Sequence, residues 1–470
     1  MSTPDVVLQV VEGGGLIPVS NANVHVKVGY ASGATANTLY GGYTSKKQLV
    51  ADLVSGPVVE AAAFALERGA KPVFVMASAA STAGVAGTVT KVGAGAGTIV
   101  LSGTPVDTFD VRVLVVVGGA VGTATIKIST DGGDTFGPET ATAASMPLKA
   151  TGGAQTGVTM ALALTFAAGD TYSFPLTSPA PTSSDLGAAL DALLASQLDF
   201  NFGHVVGAAS TSAGQATIAA AVGAKADAFF NAYRPTFFVI EVGDDSDASY
   251  KTAFAAFAHD RVVVVPHSHE ITSAIASTSD RRPQAWSLAP RIAKLRPGED
   301  PARFRDGNLA GVTRLYRNEG ATPGLDDFRF TTLRTFVGQA GFYVNQAKTF
   351  AAPGSDFGFV TDRRVMDRAC VVARAALINY LNDNVELIKA TGFIATADAD
   401  AIDAEVSSKL EADLVSNKDA SAVRFLVDRN DNLVALPELQ GEIEITRRGY
   451  IRNIRVKIGY QNPALSRAAG

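Results

Sequence analysis

Between residues 81 and 178, helical periodicity disappears from this sequence. Gly, Ala and Thr dominate there, and short β-branched runs (98–101, 111–117, 123–129 and 171–176) are separated by turn clusters such as Asp131-Gly132-Gly133-Asp134. On either side, stretches with a 3.6-residue apolar period alternate with short continuous apolar runs, the pattern of helices layered on a sheet. One uniform fold cannot accommodate both textures. The chain therefore reads as an α/β (α+β) body with open mixed sheets, interrupted by an inserted all-β domain. Ser178-Pro179-Ala180-Pro181-Thr182-Ser183-Ser184 is the exit linker of that insertion.

Ahead of the insertion, the β-branched run 6–11 is broken by Gly13-Gly14-Gly15. Val24, Val26 and Val28 then alternate with His25 and Lys27, the period of a half-buried strand. Pro57 starts a helix at a position where its missing N–H costs nothing, Gly69 stops it, and Val73 to Met76 form a short strand. After the insertion, Asp185 caps a helix carrying Leu186, Leu190, Leu193 and Leu194. The apolar runs 237–242 and 262–265 flank a helix at 248–258, which predicts a βαβ unit. In the last third, Val365, Ala369, Val372, Ala376 and Tyr380 form one helical stripe, and Ile402, Val406, Leu410 and Leu414 another. Ile443 and Ile445, a turn at 447–450, and Ile454, Val456 and Ile458 predict a closing hairpin. The expected division is 1–80, 81–180, 181–332 and 333–470, with no internal repeat and no coiled coil.

Composition removes several classes of function. Of 470 residues, 47% are apolar and 18% charged, the latter below the roughly 25% of an average domain, which argues against disorder. A single cysteine, Cys370, excludes an intramolecular disulfide framework and any zinc site built on paired thiolates. No run approaches about 18 uninterrupted apolar residues, and the first residues lack the basic start and apolar run of a signal peptide. The expectation is a chain folded in a reducing cytoplasm without membrane insertion. Its charge is uneven. Residues 1–280 carry 13 Lys+Arg against 22 Asp+Glu, whereas 281–470 carry 27 against 23. That polarity fits a chain packing against copies of itself or an acidic partner, and equally fits ordinary solvated faces.

Candidate chemistry is sparse. His267-Ser268-His269-Glu270, with His259 and Asp260 upstream, is the best metal-like cluster, at the carboxyl end of a strand where α/β ligands bind. Both imidazoles share a face only if the strand continues past Pro266, and a polar loop is the competing reading. Gly93-Ala94-Gly95-Ala96-Gly97-Thr98 lacks the Gly-Lys-Ser/Thr ending of a phosphate loop and reads as a hairpin turn; Gly41-Gly42-Tyr43-Thr44 fails the same test. Cys370 lies in a helix without a nearby histidine and reads as a structural thiol. No Gly-x-Ser-x-Gly elbow is present. An acidic chain whose basic C-terminal strand has only Tyr450 and Tyr460 as aromatic platforms offers nucleic acid little. The expectation is a protein that is not an enzyme, needs no cofactor or metal, and makes no direct nucleic-acid contact.

Two resemblances add to this. The segment from Asp107-Thr108-Phe109-Asp110 to Asp131-Gly132-Gly133-Asp134-Thr135-Phe136 resembles the small Ig-like sandwich modules inserted in bacterial and phage surface proteins. Phe342-Tyr343-Val344-Asn345, then Ala352-Pro353-Gly354-Ser355-Asp356-Phe357, then Arg364-Val365-Met366-Asp367-Arg368-Ala369 resemble, in that order, the sheath proteins of contractile phage tails and phage-derived injection particles. The resemblance covers roughly 1–80 and 185–470. It implies a structural subunit that stacks in six-fold rings around an inner tube, contacts tail tube, baseplate and tail terminator proteins, and contracts to drive the tube through an envelope. The expected location is a virion tail assembled in the host bacterial cytoplasm. Another virion structural or decoration protein is the alternative, and an α/β enzyme a more distant one.

Both ends of the chain read as strands without local partners. Val7, Leu8, Gln9 and Val10 lie in the first run. In the last, Ile454, Val456 and Ile458 face one way and Arg455 and Lys457 the other, with Arg452 just before. Such a strand suits β-augmentation, where main-chain hydrogen bonds bind and alternate side chains set register; a closed intramolecular hairpin is the plain alternative. In the helix near 363, Arg364 and Arg368 share one side, with Arg363 and Arg374 on its flank. By the resemblance, that basic side faces acidic tube subunits, unless Asp362 and Asp367 neutralise it.

Overall fold

A computed structural model describes residues 24–150, 153–207, 211–276, 278–320, 323–436 and 438–460. At its centre is a six-stranded sheet in the order Val262–Val265, Phe237–Glu241, Phe202–Val205, His25–Gly29, Val73–Ala77, Thr38–Tyr43. The first five strands are parallel, and Thr38–Tyr43 closes the edge antiparallel. Val-Val-Val-Val is apolar throughout, and Phe-Phe-Val-Ile-Glu apolar up to its last residue, because parallel strands are covered on both faces.

Among the described residues there are eight helices: α1 (Lys46–Leu53), α2 (Pro57–Glu67), α3 (Ser183–Ala195), α4 (Ser212–Asn231), α5 (Asp247–Ala253), α6 (Ala285–Ala293), α7 (Val360–Leu377) and α8 (Thr396–Leu410). α1, α2 and α6 pack on one face of the sheet around Phe64, Val239 and Trp286. α3, α4 and α5 pack on the other around Leu190, Val222 and Phe238. The predicted βαβ unit is present, with α5 between Phe237–Glu241 and Val262–Val265. Asp185 is the third residue of α3 rather than its cap. Thr182 caps, and in a capping box its hydroxyl accepts from Asp185 N while the Asp185 carboxylate accepts from Thr182 N.

His25–Gly29 is not half-buried: all five residues are buried. The alternation of Val with His25 and Lys27 is real, but the polar side meets a second helical layer. There Lys27 Nζ lies 2.7 Å from His204 Nδ1, directly opposite in the parallel register. His204 Nε2 lies 3.2 Å from Glu241, whose carboxylate also accepts from Trp286 Nε1 at 2.6 Å. Desolvation lowers Lys27 to about 7 and raises Glu241 to about 7.

The insertion forms two main antiparallel sheets. One runs Thr140–Ala141, Thr125–Ser129, Phe109–Val117, Thr171–Thr177, with Val85–Ala86 and Thr90–Val92 also pairing with the last; the other runs Ser145–Lys149, Gln155–Ala163, Thr98–Gly103. Val111, Val113, Val115, Met160, Tyr172 and Phe174 alternate inward into a core whose buried members run from Ile99 to Leu176, with Ala86 and Val89 packed against it. Residues 93–97 do not turn a hairpin. They carry the chain from one sheet to the other, because Thr90–Val92 pairs with Thr171–Thr177 while Thr98–Gly103 pairs with Gln155–Ala163.

A third core joins α7 and α8 to Ala420–Val427. It begins at Val365, later than the expected boundary at 333, because Leu333, Val344, Ala347 and Val360 belong to the core beside α2 and α6. The predicted closing hairpin is also revised. Gly441–Arg447 pairs antiparallel with Ala420–Val427, and 451–460 contains no strand. That pairing places Ile443 and Ile445 against the third core, whereas Ile454 remains 78% exposed.

Candidate assembly surfaces

α7 is covered on two sides. Val365, Ala369, Val372 and Ala376 enter the third core, as the helical period requires. The arginine side is buried as well, which corrects the expectation of an exposed, tube-facing Arg364 and Arg368. Arg364 is completely buried; its guanidinium donates to Asn201 Oδ1 (3.1 Å), Leu295 O (2.7 Å) and Arg296 O (3.1 Å), and desolvation lowers its pKa to about 10. Arg368 makes a two-pronged pair with Asp413, both contacts at 2.7 Å. Arg363 pairs with Asp260 and Asp367, and Asp367 also accepts from Arg261. Asp367 thus neutralises part of the cluster, while Asp362 faces Arg447 at 3.4 Å. No local signal marks these partners, since Asn201 lies 163 residues from Arg364.

The C-terminal segment is tied down and then released. Tyr450 donates to Gly298 O at 2.9 Å, and Arg452 pairs with Asp300 at 3.1 Å while lying 3.5 Å over Phe359. Ile454, Val456 and Ile458 then stand 78%, 72% and 94% exposed, alternating with exposed Arg455 and Lys457. The sheet of Ala420–Val427 and Gly441–Arg447 has two strands, so each keeps an outer edge without a strand partner among the described residues. Val7, Leu8, Gln9 and Val10 lie outside the described residues.

The insertion is fastened to the body at its base. Thr82 and Ala180 exchange backbone hydrogen bonds, and Asp185 accepts from Ser81 N and Oγ as well as from Thr182. Against desolvation, these hydrogen bonds lower Asp185 to about 2. Deeper in the seam, Arg282 binds Glu60 of α2 through Nε (2.8 Å) and Nη2 (2.5 Å) and donates from Nη1 to Thr108 O (3.2 Å). Asp107 and Asp280 are buried beside it, and burial raises both.

The histidine cluster is a framework feature. His267 adopts φ +66°, which ends the line of the preceding strand, and Ser268–Thr272 starts a new one. The two imidazoles diverge. His269 is fully buried between Arg282 O (2.8 Å) and Ser287 Oγ (2.5 Å), and desolvation lowers it to about 4. His267 lies 3.6 Å from Asp247, and Glu270 bonds Ser279. Among the described residues, no three His, Cys, Asp or Glu side chains converge as a metal site.

A groove of about 550 Å³ opens between the end of α4 and α7. Its walls include Phe230, Tyr233, Leu377, Leu381 and Ile443, with Cys370 and Arg374 alongside. Burial raises the Cys370 thiol above its ordinary value, as a structural thiol requires. Arg374 lies 3.7 Å over the Tyr233 ring; burial lowers its pKa, and its interaction with the Tyr233 side chain opposes that shift.

A sheet covered on both faces, an all-β insertion, and a helical unit with an open two-stranded sheet define a mixed α/β protein. The overall fold is that of a chain in the cryo-EM structure of the anti-feeding prophage (AFP) baseplate, 6-fold symmetrised: TM-score 0.53, 11% identity, 98% of this chain and 100% of that chain. Two further matches have TM-scores of 0.45. One is the PVC sheath complex of an extracellular contractile injection system in the contracted state (11% identity, 59% and 75% of the two chains); the other is the AFP helical sheath in the contracted state (14%, 61% and 78%). No curated protein sequence matches the chain. The expected likeness to contractile-tail proteins is thus met at the level of fold. The chain belongs to the DUF2586 family: the DUF2586 N-terminal domain matches residues 4–348 and the DUF2586 C-terminal domain residues 356–465.

Proposed function

We propose that this protein is a non-catalytic building block of a contractile tail, a sheath subunit that polymerises in six-fold rings around an inner tube. The observation that carries the proposal is the segment after Arg452. Three aliphatic side chains alternate with two cations, all exposed, beside a two-stranded sheet with open edges. An edge of this kind is ordinarily blunted, and leaving it bare favours strand addition from another copy. In this reading Ile454, Val456 and Ile458 of one subunit, and Val7, Leu8, Gln9 and Val10 of another, add to a neighbour's sheet, while Arg452 anchors the segment where it leaves its own body. The shared fold with a chain of the AFP baseplate supports this placement. Tube, baseplate and terminator proteins are the proposed partners. The insertion, attached at adjacent crossings through Thr82 and Ala180, is proposed to be an Ig-like module on the outer surface. Contraction would need no nucleotide, because an extended assembly trapped kinetically can relax to one that buries more surface.

Negative-stain microscopy of the purified full chain tests the proposal. Tubes or stacked rings are expected. Removing residues from Asn453 onward should abolish them while leaving the circular dichroism of the body unchanged. Tubes of normal length from that truncation would refute strand exchange at this end. The baseplate match favours a second reading, a sheath-like subunit confined to one ring at the tail base. Single rings that never stack at any concentration would select it.

A further inference from the structure

The chain changes its mode of attachment abruptly at Arg447. Up to there, Gly441–Arg447 is held by a backbone ladder to Ala420–Val427 and by Ile443 and Ile445 against the third core. Beyond it, among the described residues, no backbone–backbone hydrogen bond joins 448–460 to the body. Three side chains do the holding instead. Arg448 Nη1 donates to Lys418 O at 3.0 Å, Tyr450 to Gly298 O at 2.9 Å, and Arg452 to Asp300 at 3.1 Å while covering Phe359. The segment crosses a cleft of about 200 Å³, walled on the body side by Phe357, Asp362, Met366 and Asp419 and on the other by Arg448 and Tyr450. Ile451, the one aliphatic residue in 448–452, is 85% exposed, so apolar burial at that position adds nothing to the attachment.

Ion pairs and hydrogen bonds within reach of solvent contribute little and weaken with salt, whereas the ladder ending at Arg447 comes apart only with the third core. The two sides of Arg447 therefore detach at very different costs. We infer that 448–452 is a releasable strap, which lifts from its own body with the fold intact and gives the exposed segment beyond it two reaches. Seated, that segment sets out from Asp300, in the loop after α6; peeled, it sets out from Arg447, five residues earlier in the chain. At about 3.3–3.6 Å per extended residue, release adds up to about 17 Å. This rests on the assembly reading above and adds to it a reserve of chain. Linked bodies move apart by that length while the strand pairing between them holds, because the strap gives way before either the pairing or the third core.

Two nitroxide labels measure the reach in the full chain: Ile451→Cys on the strap and Arg305→Cys on the body, both exposed, with Cys370→Ser removing the only native thiol. Pulsed electron resonance of the unassembled chain in about 0.1 M NaCl should give one narrow distance. Raising the salt to about 1 M shortens the screening length from about 10 Å to about 3 Å. Either that change or Asp300→Asn, which removes the charge and keeps the shape, should add a component longer by about 10 Å or more, with circular dichroism unchanged. Labelled chains diluted into excess unlabelled parent and assembled should show the longer component too. A single short distance throughout, or a longer one that appears only as circular dichroism is lost, overturns the strap. Tubes that keep only the short distance overturn the reserve; in each of these cases tube formation leaves the assembly reading standing. If the parent forms no tubes or rings, the assembly reading falls and the reserve with it.

Discussion

Arg282 is the group whose removal should reveal how the insertion is held. Its guanidinium is buried among Glu60, Asp107 and Asp280, and it donates across the seam to Thr108 O. Arg282→Met preserves much of the side chain's bulk but leaves three buried carboxylates without their cation. Removing one member of a buried ion pair costs about 3–5 kcal/mol, because the remaining charge stays desolvated. Protonation can relieve that cost, which fixes the sign of the pH dependence. Burial already holds Asp107 and Asp280 above the ordinary carboxyl range. Such groups carry protons in the folded chain that the unfolded chain has released, so their contribution is full at low pH and is lost as pH rises through the raised values. Without Arg282 those values climb further. The variant should therefore lose about 3–5 kcal/mol at pH 8 and distinctly less at pH 5. Arg282→Lys, which keeps the charge but not the two-pronged contact, should fall between. The only tryptophan, Trp286, lies 5.5 Å from the guanidinium, so urea unfolding followed by its fluorescence reads this site directly. A loss below about 1 kcal/mol at both pH values, or a larger loss at pH 5, would refute the reasoning.

Two further outcomes follow from the buried ionic groups. Arg368→Ala should destabilise the third core by about 3–5 kcal/mol by stranding Asp413, seen as faster amide exchange in α8 and Ala420–Val427 with the central sheet still protected. His269 is neutral when folded, because burial depresses it from its ordinary value near 6.5 to about 4; its contribution is full above 6.5 and is lost as pH falls toward 4, so His269→Gln should flatten the acid limb of a stability–pH curve.

Much of the architecture was legible because it is written in local periods. The loss of the helical period after 81 marks the insertion, Pro57 and Gly69 bracket α2 closely, and two short apolar runs around α5 announce parallel strands. What escaped depends on partners far along the chain. Lys27 looks like the wet side of a strand until His204 and Glu241 arrive beside it, and Arg364 and Arg368 look solvent-facing until Asn201 and Asp413 do. The terminal hairpin failed for a related reason. Ile443 and Ile445 have the same alternation as Ile454, Val456 and Ile458, so pattern alone could not say which strand they would join. The strand that won, Ala420–Val427, already had Val423 and Phe425 set into the third core. For the candidate surfaces, the apolar alternation at 454–458 is visible in the sequence, but the groove beside Arg374 is assembled from segments more than a hundred residues apart and left no local trace.

The double covering of α7 has a mechanical consequence. On one side the helix is greased against its own unit; on the other it is bolted to the central body by Arg363 to Asp260, Asp367 to Arg261, and Arg364 to Asn201 and two carbonyls. Apolar contacts slide under shear, whereas short directional bonds resist it. A pull arriving along the chain beyond Arg452 meets first the Asp300 anchor and then this row of bolts. If subunits are linked through that segment, as proposed above, the load would first reach the loop after α6 at Asp300, and the bolts along α7 would hold the helix to the central body.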